Sequence, residues 1–280
     1  MSGTLYIVAT PIGNLADLSA RARAVLQRAD LIAVEDTRHS GRLLQEIGTR
    51  ATLLSCHEHN EAQRTEVILS RVQQGDAVAL ISDAGTPLIS DPGSVLVREA
   101  HRRGLKVVPV PGPSALIAAL SCAGLATDRF VFEGFLPAKA GARLQRLAEL
   151  ASETRTLVFY EAPHRILACV ADLCDSFGAA REATLARELT KTYETLVHGT
   201  LQSLLDLLQR DENQQKGEIV LVVAGAARRE QALDAAAEHT LRILLEDLPL
   251  KQAASLAARL TGLKKNLLYD IALGWQSGKV

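Results

Sequence analysis

The sequence is poor in cysteine and in net charge, and each shortage excludes a class of protein. Its four cysteines, Cys56, Cys122, Cys169 and Cys174, are scattered and form no CxxC pair. This spacing argues against a zinc knuckle or a disulfide framework and predicts a reducing compartment. The 31 Lys and Arg residues against 32 Asp and Glu residues give a net charge of −1. A protein coated in basic charge, such as a histone-like nucleic-acid binder, is therefore excluded, whereas a local basic patch is not.

Long apolar runs and the familiar nucleotide-binding motifs are also missing. No run reaches the roughly 18 apolar residues of a membrane span, and the first residues lack the regions of a signal peptide. We therefore expect a cytoplasmic protein without a membrane segment. Neither GxGxxG nor GxxxxGK followed by Ser or Thr occurs. Their absence disfavours a dinucleotide oxidoreductase and a P-loop NTPase.

Apolar, strand-like runs alternate with helix-like segments along the first half of the chain. Almost fully apolar strands between helices predict an α/β domain whose sheet is covered on both faces. The pattern changes near Phe130–Pro137, and a second, mixed α/β pattern follows. After Gly225 the composition shifts to Ala- and Leu-rich helix. We predict domains over 1–130 and 131–226, then a helical domain over 227–280 that is either a helix-turn-helix pair or a packed αα-hairpin.

The most informative motif is ISDAGTPLISDPG, which spans Ile81–Gly93 at the end of a predicted strand. Open α/β sheets bind ligands outside the carboxyl ends of their strands. Gly85 would let the main chain approach a ligand, and Asp83 and Asp91 bring carboxylates to the rim. Few cations flank the loop. The motif therefore favours a cationic or zwitterionic small molecule over a highly phosphorylated one, and a plain turn is the alternative.

Polar clusters follow other predicted strands. Pro111–Ala115 offers a helix N-terminus and a serine hydroxyl, either for a ligand or as a simple cap. Glu35–His39 groups two carboxylates with two basic residues, which is costly without a function. Cys56–Glu61 has HxH spacing but no third ligand, so we expect no metal there. Tyr160–Arg165 and Arg187–Glu194 end strands of the second domain, and their cations form either surface salt bridges or part of an interdomain cleft.

Several long motifs, in this order, resemble the ribosomal RNA small subunit methyltransferase I family, a branch of the tetrapyrrole-methylase-like superfamily. They are VATPIGNLADL, EDTRHSGRLL, ISDAGTPLISDPG, VPGPSA, FEGFLP, YEAPHR, ARELTKTYE and GEIVLVV. The tail ending GLKKNLLYDIAL resembles that family's C-terminal helical domain. The resemblance implies a two-domain class III methyltransferase fold and a homodimer, with S-adenosylmethionine bound between the domains. It also implies 2′-O-methylation of a cytidine ribose in 16S rRNA of the 30S subunit.

The resemblance also implies a cofactor shell by position. Its members are Pro11, Asp83, Gly85, Thr86, Ile89, Ser114, Ala115, Tyr160, Arg187, Glu218 and Ile219. The segment Gly85–Pro87 aligns with the superfamily's Gly-Asp-Pro loop. Because Thr86 replaces the aspartate, carboxylate contacts are not carried over to that position.

A ribose hydroxyl is a weak nucleophile, so we expect a base or an anion-stabilising cation to assist it. The candidates are Glu35, Asp36, Glu188 and Lys191. Orientation without a dedicated base is the alternative. RNA-contacting cations are expected at Arg38, Arg42, Lys139, Arg143, Lys264 and Lys265. Since aromatic residues make up only 4% of the chain, base stacking would depend on few rings, such as Tyr193, Tyr160 or Phe135.

The sequence leaves two other functions open. One is methylation of a tetrapyrrole or corrin precursor on the same fold, and the other is a non-catalytic, ligand-sensing module that binds the ribosome. The EDTR and CHEHNE loops and the basic helical tail favour RNA over a macrocycle.

Overall fold

A computed structural model describes residues 3–57, 59–227 and 235–277. The chain divides into two compact units, one ending at Ala226 and the other beginning at Ala227. The first unit contains two five-stranded sheets. Within the described ranges, no helix is both long and apolar enough to cross a membrane.

The first sheet is parallel throughout. Its strands are β1 (Thr4–Val8), β2 (Leu31–Val34), β3 (Thr52–Ser55), β4 (Ala77–Leu80) and β5 (Lys106–Val110). They lie in the order β3-β2-β4-β1-β5. The helices between and after them are α1 (Ala20–Arg28), α2 (Thr37–Ile47), α3 (Glu61–Gln73), α4 (Ser94–Arg102) and α5 (Ala115–Cys122). Because the strands are parallel, the loops that follow them all emerge at one edge of the sheet.

Helices cover both faces of this sheet, as predicted. Leu26 and Leu44, from α1 and α2, pack with Ile32 on one face. Leu69 and Leu96, from α3 and α4, belong to the core on the other face. As a result, every residue of β2 is buried.

The edge strand β3 was not expected from the sequence. Its first two residues, Thr52 and Leu53, are exposed, so the segment lacks the continuous apolar pattern that identifies the inner strands. Its residues pair in register with those of β2, from Leu31 opposite Thr52 onwards.

Helix α2 is positioned by its two ends. The Asp36 carboxylate caps its start by accepting the Arg38 backbone N–H at 2.8 Å. Gly48 ends it in the left-handed conformation, with φ at 75°, which glycine adopts at little cost. The first turn of α2 is thereby fixed beside the ends of β2 and β4.

The second sheet is mixed. Its strands are β6 (Phe130–Phe135), β7 (Thr156–Glu161), β8 (Glu182–Arg187), β9 (Thr195–Thr200) and β10 (Ile219–Val223). They lie in the order β6-β7-β10-β8-β9, and only β6 and β7 are parallel. The helices are α6 (Ala140–Leu150), α7 (Ile166–Phe177) and α8 (Leu201–Arg210).

The two faces of the second sheet are covered differently. Helices α6, α7 and α8 bury one face around Phe159 and Leu221. The other face packs against α5, where Leu116 and Leu120 meet Val158. Helix α5 therefore joins the first sheet to the second.

The second unit consists of three helices among the described residues. They are α9 (Ala235–Asp247), α10 (Leu250–Thr261) and α11 (Lys265–Gln276). Leu241, Ala257 and Leu268, one from each helix, share a small core. The sequence predicts the first helix over 231–246, of which residues 231–234 lie outside the described residues. The helical nature of this part of the chain is confirmed.

Candidate functional site

A cavity of about 390 Å³ is enclosed by loops of the first sheet and by the second sheet. We call it the first cavity. It is lined by Ile12, Ala84, Thr86, Ile89, Ser90, Asp91, Ser114, Ala115, Phe135, Tyr160, Glu161, Ala162, Pro163, Ala186, Leu189, Gly217, Glu218, Ile219 and Val220. Most of these side chains are apolar, and three are carboxylates. An apolar cavity with a few polar groups is typical of a small-molecule site.

The loop after β4 is fixed on the wall of this cavity by backbone contacts. Thr10 and Gly85 exchange two main-chain hydrogen bonds, at 2.8 and 3.1 Å, and the Thr86 hydroxyl donates to the Pro113 carbonyl at 3.0 Å. Farther along, Leu88 and Ser90 adopt positive φ angles of 73° and 68°. Such strained residues persist only where the surroundings determine the conformation, and they concentrate at functional sites.

Tyr160 connects the cavity to the start of α5. Its hydroxyl accepts the Leu116 backbone N–H at 3.1 Å, and burial raises the pKa of that hydroxyl. Its ring meets the edges of Phe132 and Phe135 at centroid distances of 4.9 and 5.8 Å. Ser114 caps α5 without a hydrogen bond from its side chain. The Ser114 hydroxyl is therefore not engaged in capping the helix, and Ser114 lines the cavity.

The carboxylate of Asp91 has a strongly shifted protonation equilibrium. Burial is the main cause, followed by the negative charge of Glu35, and together they raise the pKa of Asp91 to about 6. The pKa of Glu35 is itself raised by burial and by the charge of Asp83. A carboxyl group in a cavity whose pKa is raised by burial and by a neighbouring charge is a candidate functional residue.

A second, more polar cavity of about 710 Å³ lies beside the first. It is lined by Pro11, Ile12, Gly13, Leu15, Asp36, Arg38, His39, Ser40, Arg42, Leu43, Asp83, Ala84, Lys191 and Glu218. Ile12, Ala84 and Glu218 line both cavities. The two cavities therefore adjoin, and these three residues form their shared wall.

Lys191 lies on the second cavity's side of this wall. Its Nζ donates to Glu188 Oε1 at 2.9 Å and lies 3.2 Å from Glu218 Oε1. Partial burial opposes the charge of Lys191, but these two carboxylates outweigh it and raise the pKa of the ammonium. Lys191 is therefore a fixed cation at neutral pH and cannot serve as a base.

The structure brings together most of the cofactor shell that the sequence predicts. The first cavity contains Thr86, Ile89, Ser114, Ala115, Tyr160, Glu218 and Ile219. Pro11 and Asp83 line the second cavity instead. Gly85 lines neither, because its backbone is engaged with Thr10.

Arg187 does not reach either cavity, contrary to the expectation of a cofactor contact. It is only 8% exposed, and its guanidinium donates to the carbonyls of Tyr193 and Lys216. The side chain lies beneath the loop between β8 and β9. Its role is to hold that loop.

The four predicted catalytic candidates occupy different positions. Lys191 and Asp36 line the second cavity. Glu188 holds Lys191 through a hydrogen bond to its ammonium, and Glu35 lines neither cavity. Asp36 is already engaged, because hydrogen bonds from Arg38 lower its pKa to about 2. Its carboxylate is thus a cap and an ion-pair partner.

The cations predicted to contact RNA also separate into groups. Arg38 and Arg42 line the second cavity, and Lys139 is exposed just before α6. Lys264 and Lys265 are exposed at the start of α11 in the second unit.

The expectation for Arg143 is wrong. It is 5% exposed and forms a 2.6 Å ion pair with Asp172 between α6 and α7. Its guanidinium therefore lies inside the second sheet's helical layer and cannot bind RNA from the surface.

Sequence reasoning missed the wall residues Ile12 and Ala84 and the loop residue Leu189. These side chains are apolar and carry no chemical signature. Their motifs, PIGNL, DAGTP and RELTK, were the only available signals.

Two family models match the chain. That of the tetrapyrrole (corrin/porphyrin) methylases matches residues 4–205, and that of the RsmI C-terminal HTH domain matches residues 231–276. Two similar proteins are both called ribosomal RNA small subunit methyltransferase I. The one from Pseudomonas aeruginosa is 58% identical and covers 97% of each chain. The one from Escherichia coli O157:H7 is 53% identical and covers 98% of this chain and 96% of its own.

Two solved structures resemble the first unit at low identity. The methyltransferase CobJ has a TM-score of 0.61 at 22% identity, covering 82% of this chain and 98% of its own. A cobalt precorrin-4 methyltransferase has a TM-score of 0.59 at 18% identity, covering 79% of this chain and 94% of its own. At such identities, the likeness shows a shared fold and nothing about the substrate.

Proposed function

Because the chain belongs to the ribosomal RNA small subunit methyltransferase I family, with a tetrapyrrole methylase fold, we propose that it methylates the ribose 2′-hydroxyl of a cytidine in 16S rRNA. The methyl donor in this proposal is S-adenosylmethionine. The observation that carries the proposal is the pair of adjoining cavities, one mostly apolar with three carboxylates and one lined by both cations and carboxylates, with Lys191 at their shared wall.

The residues of the first cavity fit the proposed donor. S-adenosylmethionine supplies an electrophilic methyl group on a sulfonium when it is bound. Apolar walls around Ile89 and Ile219 suit an aromatic base. The uncommitted Ser114 hydroxyl suits a polar group, and the Asp91 carboxylate, ionised above pH of about 6, suits a cation.

The residues of the second cavity fit a nucleotide. Arg38 and Arg42 stand one turn apart on α2 and line it together with His39, so they can meet a phosphate. We assign Asp36 to orienting Arg38, to which it is bonded at 3.0 Å. In this proposal the loop after β2 helps to bind the RNA and does not supply a base.

Lys191 is the residue that we assign to the reacting oxygen. A fixed ammonium would stabilise the negative charge that develops on the oxygen as it takes the methyl group from the donor's sulfur, and the hydroxyl proton would pass to water in the open second cavity. Glu188 holds this ammonium in place, and Glu35 adds a second negative charge near Asp91. Holding two reactants in line can itself supply roughly 7–11 kcal/mol.

We further propose that the protein is a cytoplasmic homodimer that acts on rRNA of the 30S subunit. In this proposal, residues 1–130 and 131–226 are the two α/β domains. Residues 227–280 are a helical domain that adds Lys264 and Lys265, at the start of α11, to the RNA contact. Lys139, exposed before α6, would extend the contact along the first unit.

In the decisive experiment, purified protein is incubated with labelled S-adenosylmethionine and with 30S subunits from a strain that lacks this methylation. A parallel reaction contains a tetrapyrrole precursor. We expect incorporation into 16S rRNA as 2′-O-methylcytidine, identified after nuclease digestion. Label in the tetrapyrrole would support the other branch of the fold. Tight donor binding without any incorporation would support a non-catalytic module.

A further inference from the structure

Tyr193 projects into solvent, and its side chain is not part of the packed core. It is 74% exposed, more than any other large apolar or aromatic side chain among the described residues. It belongs to the loop between β8 and β9, residues 188–194. An exposed aromatic ring adds little to folding, so its presence on an ordered loop calls for another role.

The loop beneath Tyr193 is held rigidly. The buried Arg187 guanidinium donates to the Tyr193 carbonyl and to the Thr195 hydroxyl, each at 2.9 Å. The Glu194 carboxylate accepts the Thr190 backbone N–H at 2.6 Å. Thr190 also has a positive φ of 67°. A backbone fixed at these points limits the positions that the ring can take, which lowers the entropic cost of binding through it.

The same loop builds both cavities. Leu189 lines the first cavity and Lys191 lines the second, and Tyr193 follows Lys191 by two residues. The other rings named for stacking, Tyr160 and Phe135, meet each other at 5.8 Å. Tyr160 also accepts a backbone N–H from α5. Among the described residues, no aromatic ring contacts Tyr193.

We propose that Tyr193 stacks on a base of single-stranded RNA that neighbours the methylated nucleotide, and so positions the substrate strand over Lys191. This inference depends on the proposed RNA substrate. Unpaired bases are commonly held by aromatic side chains, because every base presents a π face. Arg187 acts through Tyr193 as a positioning residue and does not touch the RNA.

The test compares Tyr193→Ala, Tyr193→Phe and, as a matched control, Leu144→Ala, which alters an exposed apolar residue of α6 outside both cavities. Methyl transfer is measured at varied concentrations of 30S subunits, donor affinity by calorimetry, and molecular mass by light scattering. We expect the alanine variant to raise KM for 30S subunits about five- to a hundredfold, the range that loss of one stacked base produces. Donor affinity and mass should not change.

The phenylalanine variant should stay within about twofold of wild type, because it keeps the ring. An unchanged KM in Tyr193→Ala, with an active wild-type enzyme, would overturn the stacking role alone. A shift of that variant to lower mass would overturn it too, by assigning the ring to a subunit contact. If the wild-type protein transfers no methyl group to 16S rRNA, the proposed function fails instead.

Discussion

The aliphatic chain of Lys191 lies directly across the backbone of Gly13. A Cβ atom added at Gly13 would stand 2.9 Å from the Cε of Lys191 and would overlap its Cγ. Gly13 follows β1 of the first sheet, whereas Lys191 follows β8 of the second. The absence of a side chain at Gly13 is therefore what lets the ammonium reach the wall between the cavities.

We expect Gly13→Ala to lower kcat for methyl transfer by about 100-fold, because displacing a positioned group by about 1 Å has that effect. Donor affinity should be nearly unchanged, since Gly13 does not line the first cavity. Lys191→Ala should likewise lower kcat and leave donor affinity nearly unchanged. The rate comes from single-turnover methyl incorporation and the affinity from calorimetry.

Gly104→Ala is the control for the glycine change. Like Gly13, Gly104 has a positive φ angle, and a Cβ atom there meets nothing within 4 Å, so activity should match that of wild type. Equal losses of rate and donor affinity in Gly13→Ala would show that Gly13 supports donor binding in the first cavity instead.

The raised pKa of Asp91 predicts a pH dependence of stability. The folded state binds this proton with a pKa of about 6, above the ordinary 3.8, so it holds the proton more tightly than the unfolded chain does. The free energy of unfolding should therefore fall as pH rises from about 4 through about 6. Asp91→Asn should remove this fall and be more stable than wild type at pH 7, as measured by urea unfolding across the range.

Two further variants sharpen the pH experiment. Glu35→Gln should move the midpoint of the wild-type fall to lower pH, because the charge of Glu35 is the second cause of the raised pKa. Asp175→Asn, at an exposed position on α7, should leave the profile unchanged. A wild-type profile parallel to that of Asp91→Asn would refute the assignment.

Arg143→Ala should destabilise the protein strongly. The change would leave the carboxylate of Asp172, which is only 19% exposed, without its ion-pair partner. Breaking a buried pair in this way costs about 3–5 kcal/mol in the free energy of unfolding. Chemical denaturation measures the loss, and a cost below about 1 kcal/mol would show that the pair is solvated.

Arg42→Ala should instead weaken binding to 30S subunits and hardly change stability. Arg42 lines the open second cavity, so its loss should leave the free energy of unfolding within about 0.5 kcal/mol of wild type. Binding to 30S subunits should weaken, and the slope of log K against log salt should decrease by about 1, as for one lost phosphate contact. Filter binding at several salt concentrations measures both, and an unaltered slope would exclude the contact.

The second unit can be tested through its single tryptophan. Trp275 is the only tryptophan of the chain, and the guanidinium of Arg242 lies 4.1 Å from its ring centroid. Arg242→Ala should cost about 0.5–1 kcal/mol in the unfolding of this unit and should shift the tryptophan emission. Arg259→Ala, on α10, is the control, and identical denaturation curves for all three proteins would contradict the prediction.

The sequence predicts most of the fold because inner strands and amphipathic helices have distinct periodicities. The fully apolar run Leu31–Val34, for example, is the inner strand β2. Strand β3 is not predicted, because an exposed edge strand needs no continuous apolar pattern. The clustering of polar loops was also predictable, since the carboxyl ends of parallel strands share one edge.

Side-chain direction was the part that the sequence could not supply. Arg143 and Arg187 look like Arg38 and Arg42 in sequence, yet the first two are buried and the latter two line a cavity. Only the fold determines which cation has a partner inside. Glu188, which holds Lys191, has a positive φ of 51°, a conformation that no sequence pattern indicates for glutamate.

The adjoining position of the two cavities also determines what an inhibitor of this protein should look like. A single short linker passing Ile12, Ala84 and Glu218 would join the two spaces. The end in the first cavity should be flat, apolar and positively charged, to match Asp91. The end in the second should be an anion, to match Arg38 and Arg42. Such a dipolar compound would compete with both proposed ligands at once.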